Sequence, residues 1–462
     1  MKHLTHLKQV RYGVIFAMCL MSVGPLFSQN VIYECSVLSA KDAIVREWTE
    51  GRYVVYRDDG SSRLQFTVID TAFMIAHDVA ALSLYPGIHI NDFEILKDRV
   101  YFCGRYGRGP IFGWFDANDA INGVANYNLI TSINCMDQIK FAPAQLYDLL
   151  KIEVAYCGGV LHAFMIGEAN TLGGPNRCIV DMYDDMTPPL WQCQIHESYY
   201  KKYYYDDVAV TDNFVTVVGH KHEGNNHYLL AFPRPPAPGM SIFSPYSSPW
   251  SQQIVASWTA DDYYPFPTSP FMIEHLNKDT FAIVGYIDHQ DGTCGTAITL
   301  YDGIYNNLGC RYIPQGVADT NLWRLKDFRY NTASRHLFLL EDMSSPVSPG
   351  AMNSVLLRTP IPGTTWNGAF TAFYESGIPY FSMDIHASPE DAVLVGLGGP
   401  LRLWHHTGPK GCVQYTKPHR VSLNSSDGAG DDNYFYCTLQ ELQAVVQDGA
   451  WTQKYALDEV CR

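Results

Sequence analysis

The sequence predicts an all-β protein built from repeated units, and three observations carry the prediction. A short strand of alternating apolar character that ends in glycine keeps returning, at Val100-Tyr101-Phe102-Cys103-Gly104, Val154-Ala155-Tyr156-Cys157-Gly158, Val215-Thr216-Val217-Val218-Gly219, Phe281-Ala282-Ile283-Val284-Gly285 and Ala392-Val393-Leu394-Val395-Gly396. Leu337-Phe338-Leu339-Leu340-Glu341 fits the series with its glycine lost, and Tyr53-Val54-Val55-Tyr56-Arg57 is a first copy, so the step is 47 to 66 residues. Around each copy lie further short runs of period two, separated by turn residues, which is how half-buried strands read. Finally, 47% apolar and 17% charged residues suit a well-buried chain and exclude a disordered one.

Taken in order, residues 31–79 form a first unit. Its strands begin at Ala43, Arg52, Leu64 and Phe73, and Asp59-Gly60 marks a hairpin turn. The clearest unit, 88–136, has strands at His89–Leu96, Val100–Cys103, Ile111–Phe115 and Asn128–Asn134, with Lys97-Asp98 as its first turn. A third unit runs from Leu146 to His196. A fourth starts near Tyr205 and carries a Pro-rich excursion at 232–238, a fifth runs from Phe271 to Ile313, and a sixth covers Trp323 to Tyr374. The seventh covers Phe381 to Tyr415, with Cys412–Tyr415 as its fourth strand. In the tail, Tyr434–Cys437 reads as a strand and Leu439–Val446 as a short helical segment.

A four-strand unit cannot bury both faces alone. Set radially, neighbouring sheets cover one another and leave only short, protected edges. On this pattern the chain resembles a β-propeller, with seven blades of four antiparallel strands. The resemblance is to exported bacterial propellers with divergent blades, and it is architectural. In-register Trp-Asp endings, paired kelch-style glycines and Ser-x-Asp-x-Gly-x-Thr-Trp boxes are all lacking. The expected organisation is a secretory signal at 1–28, the propeller at 29–415 and an extension at 416–462 that supplies a ring-closing strand or packs beneath the ring.

The signal is read from Lys2, Lys8 and Arg11, the apolar run Val14–Val23, and Ser28 before Gln29. Export follows as an expectation, to periplasm, cell surface or medium, with no transmembrane span in the mature chain. Net charge is −15 for the whole chain, and −18 once the three basic residues of the signal are removed. Such an acidic surface repels phosphate backbones, so nucleic acid is a poor partner.

An oxidising compartment makes disulfides an expectation. Cys178 and Cys193, 15 apart, and Cys294 and Cys310, 16 apart, flank equivalent hairpins and suggest cross-strand bridges. Gly219-His220-Lys221-His222 with His227 puts imidazoles near a strand end, but no further ligand has diagnostic spacing, and surface histidines fit better than a metal site. Asp427–Asp432 lacks calcium-loop spacing, and no nucleophile elbow, phosphate loop or zinc-protease helix is present. No cofactor is expected. Aromatic residues remain. Tyr203 and Tyr204 lie in a tyrosine cluster, and Trp250, Trp258, Tyr263 and Tyr264 lie in a long connection, where rigid amphipathic rings suit a glycan or protein contact. The sequence therefore favours a binding or scaffold protein over an enzyme. The alternative is a glycan hydrolase or lyase with acidic residues at the mouth of the ring.

Overall fold

The architecture comes from a computed structural model. It describes the strands named below together with residues 51, 60, 87, 97–98, 107–108, 117–122, 127, 158–159, 211–213, 234–243, 271, 278–279, 332 and 335. The predicted signal at 1–28 lies outside the described residues.

The first strand, β1 (Val31–Ser39), stands apart from its sequence neighbours. Six four-strand meanders and a seventh of three strands follow along the chain. Blade one is β2 (Asp42–Thr49), β3 (Arg52–Asp58), β4 (Leu64–Asp70) and β5 (Ile75–Ala81). Blade two is β6 (Ile88–Leu96), β7 (Arg99–Tyr106), β8 (Gly109–Asp116) and β9 (Asn128–Asp137), with a single helical turn, α1 (Ala117–Ile121), before β9. The Asp116 side chain caps α1 by accepting from the Asn118 and Asp119 amides. Blade three is β10 (Pro143–Cys157), β11 (Val160–Thr171), β12 (Gly174–Asp184) and β13 (Trp191–Ser198). Blade four is β14 (Tyr203–Val210), β15 (Phe214–Lys221), β16 (His227–Pro233) and β17 (Gln253–Ile254). Blade five is β18 (Met272–Asn277), β19 (Thr280–Asp288), β20 (Thr293–Tyr301) and β21 (Asn307–Val317). Blade six is β22 (Trp323–Asn331), β23 (His336–Ser344), β24 (Met352–Pro360) and β25 (Phe370–Tyr374). Blade seven has three strands of its own, β26 (Tyr380–Ile385), β27 (Asp391–Gly396) and β28 (Pro400–Thr407).

The first strand of every meander packs against that of the next, and β2 packs against both β6 and β26, so the series closes into a ring. This is the seven-bladed propeller arrangement. The ring is fastened at its N-terminal end. β1 pairs antiparallel with β28, from Val31 opposite His405 to Cys35 opposite Leu401, and becomes the fourth strand of blade seven. The stretch expected in that place ends elsewhere, since β29 (Val413–Tyr415) lies on the outer edge of blade six beside β25.

Beyond β29 the chain adds outer strands. β30 (Asp432–Leu442) lies between β13 and β9 and joins blades two and three into one nine-stranded sheet. It includes Tyr434–Cys437 and continues as strand to Leu442, where a helical segment was expected from 439. Hydrogen bonding to β9 along that stretch overrides the local apolar spacing. β31 (Ala450–Ala456) pairs with β5, and β32 (Asp458–Cys461) pairs with β1.

The faces between blades are apolar and aromatic. Phe66 of blade one stands against Phe93, Phe102 and Phe115 of blade two with ring centroids 5.5, 5.4 and 5.1 Å away. Phe112, Trp114 and Trp191 link blades two and three in the same way. All four phenylalanines of the first cluster are buried to within 1%. Burial of that kind is the main force pressing blade on blade.

The recurring glycine has a structural cause. On the first strand of a blade a β-bulge follows Ile90, Leu149, Tyr205, Leu325 and Tyr380. The partner opposite that residue on the second strand is Gly104, Gly167, Gly219, Glu341 and Gly396 respectively. The bulge presses strand one onto strand two. A Cβ on Gly104 would stand 2.0 Å from the His89 carbonyl oxygen, so only glycine fits there. In blade three the sequence pattern points to the wrong glycine. Val154–Cys157 ends the innermost strand, and Gly158 and Gly159 form its hairpin turn with φ of 57° and 90°. The bulge partner in that blade is Gly167.

Candidate functional site

The bulges set the chemistry of the ring's axis, because each one turns the next residue of an innermost strand. That residue is Asp92 in blade two, Lys151 in blade three, Asp207 in blade four and Asp327 in blade six. Several of these aspartates stitch a blade to its neighbour. Asp92 Oδ1 accepts from the Phe93 amide at 3.0 Å, and Oδ2 accepts from the Ile152 amide of blade three at 3.4 Å. Asp207 accepts from Val208 at 3.0 Å and from Ile273 of blade five at 3.1 Å. Asp384 of blade seven accepts from the Glu47 amide of blade one. Asn91 reinforces the first of these seams, giving its amide to Asp148 Oδ1 and to Leu149 O, both at 2.7 Å.

Cations hold the same groups from across the axis. Arg46 donates from Nη2 to Asp92 at 2.9 Å, while its Nε lies 3.7 Å from Glu94 and its Nη1 lies 3.9 Å from Asp327. Arg329 reaches Glu274 at 3.2 Å and stands 3.8 Å from both Asp327 and Asp384. Lys151 Nζ is 3.9 Å from Asp92. Every blade therefore supplies a charged side chain to this cluster. Six carboxylates and three cations line a cavity of about 20 Å³, which is room for a single water.

Carboxylates outnumber cations here, and burial adds to the strain. Burial pushes Asp207 up to about 6, with Lys151 and two amides resisting. Burial, opposed by Arg329 and assisted by Asp384, Asp327 and Glu94, pushes Glu274 up to about 7. Glu153 is raised well above the usual carboxylate range by burial and then by Glu94 and Glu274, and burial also raises Glu94. The guanidinium groups are raised too. Burial opposes the charge on Arg46 and on Arg329, and the surrounding carboxylates outweigh it. The cluster holds protons among its acids near neutral pH.

A second polar group lies inside blade three. His162 Nδ1 is 2.9 Å from Asp181 Oδ1, and both side chains are fully buried. Ser241 Oγ and the Ile242 amide donate to Asp181 Oδ2 at 2.7 and 2.9 Å. The residue types are those of a hydrolase triad, but the connections differ. The serine bonds to the carboxylate and not to the imidazole, and no substrate reaches a fully buried pair. The group ties the stretch after the Pro-rich excursion to blade three.

The residues singled out from sequence fare unevenly. Cys178 and Cys193 remain thiols, and the Cys178 thiol donates to Gly167 O at 3.5 Å. Register explains the missing bridge. Cys178 stands opposite Glu197 and Cys193 opposite Met182, four positions apart along the strands, which is roughly 13 Å and beyond disulfide reach. Cys294 opposite Gly316 and Cys310 opposite Thr299 are separated by a similar offset. Equal sequence spacing around a hairpin does not make two positions opposite. Tyr203 and Tyr204 lie on the innermost strand of blade four, with Tyr204 half-buried. Trp250, Trp258, Tyr263 and Tyr264 lie outside the described residues. His220 and His227 occupy opposite register positions on β15 and β16, while His222 lies outside the described residues. Among the described residues no group of three His, Cys, Asp or Glu side chains is placed to hold a metal ion. No described helix is long and apolar enough to cross a membrane.

The axial cluster was missed in the sequence. Its signal was a charge recurring on the innermost strand of each blade, as in Asn91-Asp92-Phe93-Glu94, Lys151-Ile152-Glu153 and Lys326-Asp327-Phe328-Arg329.

No family model matches the chain, and no curated protein matches it. Solved structures do. The β-propeller domain of Cps50 (Swd1) from Myceliophteria thermophila is similar at 11% identity with a TM-score of 0.45, covering 81% of this chain and all of that one. The Pan2 WD40 domain of Neurospora crassa is similar at 10% identity and a TM-score of 0.38, covering 85% of this chain and 99% of the other. The WD40 domain of SCAP from fission yeast is similar at 9% identity and 0.31, covering 82% and 98%.

Proposed function

We propose that the chain is an exported binding protein whose propeller presents its loops to a glycan or protein partner. One observation carries this reading over the hydrolase alternative. The acids converge at the axis, where an enzyme of this shape would place them, but they are engaged with Arg46, Arg329, Lys151 and backbone amides around only about 20 Å³. A sugar ring needs far more room than one water. Binding is left to the loops and strand ends, where Tyr203 and Tyr204 open the innermost strand of blade four and Trp250, Trp258, Tyr263 and Tyr264 flank β17 in the sequence as rigid rings. Export rests on the basic and apolar leader.

A melting scan of the mature chain against cell-wall fragments and a glycan panel, with the ligand recovered and sized afterwards, tests the reading. Saturation at about a hundred times the dissociation constant stabilises by about 2.7 kcal/mol. The expected result is an upward shift with the glycan recovered intact. A shortened glycan, with shortening lost in Glu274→Gln or Glu153→Gln, would overturn it.

A further inference from the structure

Three cations occupy backbone positions that favour glycine. Lys97, Lys278 and Arg335 are the three non-glycine residues with positive φ among the described residues, at 59°, 51° and 57°. Each is exposed and lies on the turn between the first and second strands of its blade, in blades two, five and six. Blades one and three fill the equivalent turn with Gly51, Gly158 and Gly159, the residue this backbone region favours. Lysine and arginine are 32 of 462 residues in a chain of net charge −15, so composition alone does not put a cation at all three.

These turns adjoin one another around one face of the ring. Trp48 Nε1 of blade one donates to Asp98 Oδ1 of blade two at 3.2 Å. Lys97 Nζ stands 4.5 Å from the ring centre of Tyr156 in blade three. Arg234 donates to Tyr156 O and, at 3.1 Å, to Asp212 O of blade four. The Asp212 amide donates to Lys278 O of blade five at 2.9 Å. The turn of Arg335 follows on β22, which packs against β18. Two rim acids are drawn into these seams, since Asp98 holds Trp48 and Asp279 accepts from Thr211 Oγ1 and twice from Asn213. Asp212 faces solvent. Among the described residues no carboxylate pairs with Lys97, Lys278 or Arg335.

We propose that this rim is a docking surface for an acidic glycan whose carboxylates are spaced along the sugar chain. The exposed cations take the carboxylates, and the rings beside them take the apolar faces of the sugars. Tyr156, beside Lys97, is 46% exposed. Burial raises the Tyr330 phenol and Arg335 opposes it, so a second ring lies within range of a rim cation. Tyr156 is the one large hydrophobic side chain exposed among the described residues, so the described part of this face offers no apolar centre for a protein partner. Nucleic acid brings its charge too densely for so acidic a chain. The surface goes beyond the loop reading above, because Tyr203 and Tyr204 open β14 at the end away from its turn.

The test is calorimetric titration of the full chain with uronate oligosaccharides from hyaluronan, alginate and pectin, each also in carboxyl-reduced form. The expected result is saturable binding of a uronate, at least about tenfold weaker for its reduced form and weakening as salt rises. Lys97→Asn, Lys278→Asn and Arg335→Asn together should weaken binding by a similar factor. The melting midpoint should stay within about 3 °C of the parent's, because asparagine tolerates this backbone region. The reduced sugars and the salt series use the unaltered chain, so the charge contact is read even where the triple variant does not fold. Failure of every uronate to bind, equal affinity for the reduced form, or unchanged affinity in the triple variant would overturn the proposal. Tighter binding of hexaglutamate would overturn it in favour of an acidic peptide. Loss of binding in Tyr203→Ala with the triple variant unaffected would move the glycan to the opposite face, which sinks this rim and leaves the earlier reading standing.

Discussion

The blades adhere in two different ways, and the contrast between the aromatic faces and the charged axis separates what makes a ring from what makes this ring. Between blades one and two, Phe66 meets Phe93, Phe102 and Phe115, a contact that any well-filled set of apolar side chains would make. At the axis, Asp92 holds Arg46, the Phe93 amide and the Ile152 amide at once. The apolar face tolerates exchange of like for like. The axis does not tolerate removal of one member, because each partner left behind is buried and charged or buried and polar.

The largest effects should show that contrast directly. Asp92→Ala takes from the Arg46 guanidinium, whose side chain is 8% exposed, its nearest carboxylate, and leaves the Phe93 and Ile152 amides without their acceptor; we expect a loss of about 3–5 kcal/mol in denaturant unfolding. Phe66→Ala should cost a similar amount, about 3–5 kcal/mol, by leaving a cavity. Phe66→Leu should recover most of that loss, whereas Asp92→Asn should recover little, since the amide cannot balance the arginine charge. Equal recovery in both places would erase the distinction between the two regions.

Next in size is the bulge that aims Asp92. Gly104→Ala places a methyl against the His89 carbonyl and should cost about 1–3 kcal/mol by the same unfolding measurement. Alanine at Gly107, where an added Cβ meets nothing within 4 Å, meets only the cost of its φ of 59° and should be milder.

Smaller, and opposite in sign to common acid denaturation, is the effect of pH. Asp207 near 6 and Glu274 near 7 lie above their unfolded values, and Glu94 and Glu153 are raised as well. The folded state then holds more protons than the unfolded one between about pH 4 and 7, so these groups' contribution is full below their unfolded pKa and is lost as pH rises. The melting midpoint should fall from pH 5 to pH 8, and Glu274→Gln should flatten the slope. A midpoint that climbs through this range would mean that the axial acids are ionised throughout.

The same contrast explains what the sequence made legible. Apolar alternation and glycine punctuation are local, so Val100–Gly104, Val215–Gly219, Phe281–Gly285 and Ala392–Gly396 fall on the second strands of their blades. In blade three the hairpin glycine Gly158 imitates the bulge partner Gly167, and the register slips. The axial acids were hidden for a different reason. Asp92 and Glu94 read as the wet face of an amphipathic strand, and only closure of seven strands around one axis buries that face. Ring closure by β1 was equally out of sight, because Val31 and its partner His405 lie at opposite ends of the chain. The cysteine pairs were chosen by spacing, which carries no register.

A double-mutant cycle on Arg46 and Asp92 tests most directly the claim that the axial charges hold the blades as a mutually dependent set. We expect Arg46→Met with Asp92→Leu to be less destabilised than Asp92→Ala alone, because no buried charge of the pair is left without its partner. A double variant as unstable as the sum of its single variants would show that the two side chains act independently, and the axis would then be a set of separate ions and not a stitch.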